Sequence, residues 1–96
     1  MKQKIYTDLN DLGKDLGIAP ERIAISKMKT QLKKRILQEV DSQALTAGQL
    51  AEVSGLTRTV ISGIINGSLQ SVSLERLIRL ASGLNLSVKL QINNAA

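Results

Sequence analysis

The sequence contains no cysteine and no histidine among its 96 residues. Without cysteine, neither a disulfide nor thiol chemistry is available. Without histidine, the commonest metal ligand and the commonest general base are both missing. Aromatic side chains are nearly absent as well: Tyr6 stands alone, with no Phe and no Trp. Any core must therefore be aliphatic. The apolar runs are only a few residues long, too short to span a membrane. The N-terminus, "MKQKIYTDLNDLG", begins basic but has no continuous apolar stretch behind its lysines, so it does not read as a secretory signal. The expected setting is the cytoplasm.

The same shortages argue against an enzyme. No P-loop and no G-x-G-x-x-G occurs, serines lack a histidine base, and the carboxylates are scattered. The string "DLNDLG" has the wrong oxygen spacing for a calcium loop and lacks its bidentate glutamate. We expect no catalytic residues, no cofactor and no metal site.

What is present suits one small globular domain. The apolar fraction is 43%, too high for wholesale disorder. The net charge is +5 and the isoelectric point about 9.9, which suits a partner rich in phosphate. The surplus is uneven. Residues 1–20 are balanced, residues 21–45 carry six basic and three acidic side chains, and residues 46–96 carry four and two.

Along the chain, Leu9, Leu12 and Leu16 suggest an arm or one loose helical turn. Pro20 suits a first helical position and Glu21 suits the positive end of a helix dipole. Ile25, Met28, Leu32, Ile36 and Val40 then form one apolar stripe of a long helix ending near Asp41. Lys27 and Lys34 point away from that stripe; Lys29, Lys33 and Arg35 flank it. Thr46 and Gln49 have the spacing of a capping box. Leu50, Ala51 and Val53 follow, and Gly55 is placed to end the helix in a left-handed conformation. Thr57 reads as the N-cap of the next helix. On that helix Val60, Ile61 and Ile64 share one side; Arg58, Thr59, Ser62, Gly63 and Asn66 share the other, and Gly67 closes it. Ile65 lies at the edge. Ser73 caps a further helix, with Leu74, Leu77, Ile78, Ala81 and Leu84 inward and Arg76, Arg79 and Ser82 outward.

Residues 86–92, "LSVKLQI", alternate strictly, which is strand periodicity. A lone strand cannot satisfy its own backbone. Its partner is either the same strand of a second copy about a two-fold axis or the chain's own N-terminal arm, where residues 3–7 are a weak candidate.

Two helices at a tight corner can set the second in the major groove of DNA, which is about 12 Å wide and admits one helix. A small, polar outer face lets that helix approach base edges. Arg58, Thr59 and Ser62 fit this, although each is also an ordinary residue for a solvated face. Arg76 and Arg79 read as a solvated face or as contacts to phosphate. The Lys33–Lys34–Arg35 cluster reads as surface or as a source of nonspecific attraction to DNA.

Ala51, Gly55 and Ile61, with Leu50, Leu56 and Ile64 in the other core positions, match the helix-turn-helix pattern. "GLTRTVISGIINGS" resembles the signature of the Xre family, which includes the phage lambda repressor and Cro. "SLERLIRLASGLNLSVKLQI" is similar to the HigA-like antitoxin subgroup. The resemblance covers about residues 22–92. It implies a mainly α fold: a lambda-repressor-like bundle of about five helices, with a C-terminal strand pairing across a dimer. It implies a recognition helix over Thr57 to Asn66. Arg58 and Thr59 would read bases, Ser62 and Gly63 would lie farther along the same face, and Thr57 would cap the helix and touch phosphate. The chain departs from the pattern at Ala47, where many members carry glutamine, and at Gly63, where a longer polar residue is common.

The expected organisation is an N-terminal arm (1–20), a DNA-binding domain (21–85, with the helix-turn-helix at about 46–66) and a C-terminal strand and tail (86–96). The expected function is a sequence-specific DNA-binding regulator, a homodimer through residues 86–92 on double-stranded palindromic DNA. Its narrower form is an antitoxin whose arm faces a toxin. The alternative is a protein-interaction adaptor that keeps the shape and has lost DNA.

Overall fold

The computed structural model describes residues 17–94. Four α-helices follow one another: α1 (Pro20–Gln43), α2 (Ala47–Ser54), α3 (Arg58–Asn66) and α4 (Leu74–Gly83). A 3-10 turn, Leu69–Ser71, joins α3 to α4.

The helix ends follow from local chemistry. Pro20 opens α1 with Glu21 in its first turn. At α2 both halves of the capping box form. The Thr46 hydroxyl accepts the Gln49 amide at 3.2 Å, and the Gln49 side-chain oxygen accepts the Thr46 amide at 2.8 Å. Gly55 takes the left-handed conformation at φ 73° and donates its amide to the Ala51 carbonyl. Ser73 accepts the Arg76 amide at the start of α4. The exception is the end of α1, where Ala44 adopts φ 51°, a region that costs most side chains free energy.

One aliphatic core holds the bundle. Ile36 of α1, Leu50 of α2, Ile61 and Ile64 of α3, and Leu77 and Leu80 of α4 are completely buried. Leu56, Val72, Ala81 and Leu84 complete the cluster. No buried side-chain nitrogen or oxygen among the described residues lacks a hydrogen bond. Helix α4 packs on both α1 and α2. The approach to α2 is close: a Cβ placed on Gly83 would stand 2.7 Å from the Val53 carbonyl oxygen. Position 83 therefore admits no side chain without movement of the backbone.

Three expectations need correction. The apolar stripe of α1 is only half used. Ile36 is buried and Leu32 and Val40 are partly so, whereas Ile25 and Met28 are 41% and 38% exposed. Toward the start of this helix of 24 residues the buried residue is Ile23, which lies outside the stripe. Second, the described residues hold four α-helices and not five. The loose helical turn expected around Leu9–Leu16, like the weak strand at residues 3–7, lies outside them. Third, residues 86–92 form no strand. The Leu86 amide closes onto the Ala81 carbonyl and Leu86 is partly buried against the core. Beyond it Val88, Leu90 and Ile92 are 42%, 74% and 82% exposed. The alternating pattern is real, but no neighbouring strand among the described residues supplies a hydrogen-bond ladder.

Candidate nucleic-acid interface

The corner between α2 and α3 is three residues long, Gly55-Leu56-Thr57. The left-handed glycine reverses the chain, and buried Leu56 plugs the angle into the core. Ser54 braces the corner from inside. Its hydroxyl donates to the Leu50 carbonyl at 2.6 Å and accepts the Leu56 amide at 3.2 Å. Thr57 then starts α3, its hydroxyl accepting the Val60 amide at 3.2 Å. The Gly55 and Leu56 amides and the Ser54 and Thr57 hydroxyls are all engaged within four residues, so short-range bonds brace the corner.

Packing decides which face of α3 remains outside. Ile61 and Ile64 are fully buried, and Val60 and Ile65 pack partly against the core. Thr57, Arg58, Thr59, Ser62 and Asn66 are all exposed, and Gly63 is half-buried. A Cβ on Gly63 would meet nothing within 4 Å, so its surface is bare backbone facing open space. Arg58, Ser62 and Asn66 run in i, i+4, i+8 register along one line, with Thr59 and Gly63 on the adjacent one. All six candidate residues thus belong to one end-to-end exposed strip. The helix has nine residues, about 13 Å of length.

Arg58 supplies the only charge on that strip. It makes no ion pair or hydrogen bond among the described residues. Its guanidinium lies back against the first turn of α2, over Gly48: a Cβ built there would be 2.8 Å from the Arg58 Nη2 atom. Ala47, at the first position of α2, is exposed and too short to reach an external group. Arg76 and Arg79 are exposed on α4, beside Ser73 and Glu75 around a shallow surface depression. They do not form part of the α3 strip.

Sequence reasoning missed Ser54 and Gly48. A serine directly before a helix-ending glycine was the available signal for Ser54. Nothing in the sequence marks the contact at Gly48, because it depends on where a side chain ten residues later comes to rest. Lys29, at the flank of the apolar stripe, donates to the Leu69 carbonyl at 3.1 Å and ties α1 to the 3-10 turn, a role that nothing in the sequence marks.

Among the described residues no helix is long and apolar enough to cross a membrane. No group of three carboxylates there could hold a metal ion.

A family model for the helix-turn-helix matches residues 32–90. That span is more than half of the chain and contains α2, the corner, α3 and α4 entire. The chain belongs to the Xre/lambda-repressor-like helix-turn-helix family. Neither the curated proteins nor the solved structures provide a significant match.

Proposed function

We propose that this member of the helix-turn-helix family is a sequence-specific DNA-binding transcription regulator, with α3 as its recognition helix. One observation carries the reading. The strip of Arg58, Thr59, Ser62, Gly63 and Asn66 is exposed, small and polar, and it lies opposite two fully buried isoleucines at a locally braced corner. A helix held this way can enter the major groove with little side-chain bulk between its backbone and the base edges. Arg58 is the base reader with the longest reach, and Thr59 and Ser62 make shorter contacts beside it. Thr57 caps the helix and contacts phosphate. The basic surplus supplies attraction to the phosphate backbone that does not depend on sequence.

The regulator acts as a cytoplasmic homodimer on a palindromic operator and represses by occluding polymerase. The DNA-binding domain is residues 21–85, preceded by the arm and followed by the 86–96 tail. Residues 86–92 support dimerisation, because Val88, Leu90 and Ile92 are exposed apolar side chains at alternate positions. Two copies of this segment pairing about a two-fold axis would cover them. The half-sites then lie about 34 Å apart, one helical turn of DNA, or a multiple of it. In the narrower form of the proposal the protein is an antitoxin and autorepressor, with residues 1–20 facing a toxin. A toxin that co-purifies with the chain supports that form; its absence, with no toxin gene alongside, removes it.

The test is selection from a random duplex pool followed by binding across a salt series. An enriched palindrome, with log affinity falling linearly in log salt, supports the regulator. Weak binding with no enriched sequence turns the assignment to a protein-interaction adaptor.

A further inference from the structure

The contact between Arg58 and Gly48 assigns a role to a residue that does not face the groove. The Arg58 guanidinium occupies the space where a side chain at position 48 would begin. A Cβ on Gly48 would lie 2.8 Å from Nη2, 3.4 Å from Cζ and 3.7 Å from Nε of Arg58. Real Cβ atoms do not come as near as the first of these, so any residue but glycine displaces the guanidinium.

No charge holds the guanidinium in that seat. Arg58 has no ion pair or hydrogen bond among the described residues. The first turn of α2 presents the positive end of a helix dipole, which does not attract a cation. The guanidinium therefore rests by contact alone, over the side-chain position that Gly48 leaves empty. Glycine at this helical position costs stability relative to alanine, and no backbone requirement explains it: only Gly17 and Gly55 among the described glycines have positive φ. What the glycine leaves open is the space that the Arg58 guanidinium fills.

We infer that Gly48 is a specificity-determining residue: it seats the Arg58 guanidinium against α2 and so sets which base edge Arg58 meets. The inference rests on the assignment of α3 as the recognition helix. It adds a residue of the first helix of the motif to the base-reading apparatus, acting through Arg58.

The test uses four full-length proteins: wild type, Gly48→Ala, Arg58→Ala and the double variant. Each is titrated with the selected operator and all its single-base-pair variants. Gly48→Ala replaces a poor helix former by the best one, so its thermal midpoint is expected unchanged or raised, and lost binding is not lost folding. On the wild-type background Gly48→Ala should weaken operator binding by about threefold or more, as residues in contact couple. It should also change the base preference at the same base pair that Arg58→Ala relaxes. On the Arg58→Ala background it should change nothing. In the free protein, the Arg58 Nε–H resonance should shift in Gly48→Ala. Unchanged base preferences, or the same loss with and without Arg58, overturn the inference while leaving α3 as the reader. Failure of the wild type to select any sequence overturns the regulator reading and this inference together, even if the resonance shifts.

Discussion

Lys29 and Leu69 are forty residues apart in sequence and joined by a hydrogen bond, the lysine Nζ donating to the leucine carbonyl at 3.1 Å. This bond fastens the long helix to the 3-10 turn immediately after α3. The turn that follows α3 is thereby tied to the longest helix among the described residues. A charged donor serves an architectural purpose here.

Lys29→Met keeps most of the apolar stem and removes the donor. We expect it to lower stability by about 1 kcal/mol, the usual net contribution of such a bond, measured by urea denaturation. The slope of log affinity for DNA against log salt should stay unchanged, whereas loss of a phosphate-contacting lysine would reduce it by about one.

Ala44 closes α1 at φ 51°, where glycine is the residue without a Cβ penalty. Ala44→Gly should stabilise the protein by about 0.5 to 1 kcal/mol, the relief of left-handed strain being partly offset by greater freedom of the unfolded chain. Thermal unfolding reads this directly. A fall in the midpoint would mean that the cap is not strained.

Gly63 separates folding from binding. A Cβ there meets nothing within 4 Å, so Gly63→Ala should raise stability by up to about 1 kcal/mol through helix propensity. The same methyl group would stand between the α3 backbone and the base edges. Operator affinity should therefore fall while the melting temperature rises. Equal or better binding would place Gly63 outside the interface.

Glu39 accepts hydrogen bonds from Gln43 and from Arg35, its Arg35 contact being 2.8 Å. These hold its carboxyl below the ordinary value of 4.5, with the Gln43 bond the larger cause. A lowered folded-state pKa contributes stability fully above the ordinary value, and that contribution disappears as pH falls through the folded one. Glu39→Gln should thus lower stability slightly near neutrality, where the contribution is fully present, and flatten the acid limb below pH 4.5 by the same small amount.

The caps were legible in the sequence because each is a local event. Thr46 with Gln49, Gly55 and Thr57 each satisfy backbone groups within three or four residues, and a side-chain type suffices to identify them. The buried face of α3 was legible for a similar reason, since Ile61 and Ile64 share a helical side. The α1 stripe was not, because periodicity identifies an apolar face but not what covers it. Ile25 and Met28 continue the pattern yet are exposed, whereas Ile23, outside it, is buried. The strand at residues 86–92 failed on the same ground: alternation names a face, and a strand also needs a neighbour. Contacts between distant side chains and backbone, such as Lys29 with Leu69 and Arg58 with Gly48, leave no local trace at all.

The central claim is that α3 reads DNA through Arg58. The measurement that tests it is the affinity of wild type and Arg58→Ala for the selected operator and its single-base-pair variants at one fixed salt concentration. The account predicts a loss of about 1 to 3 kcal/mol, with discrimination relaxed at one base pair of each half-site. Unchanged affinity, or a uniform loss across all sequences, would contradict it.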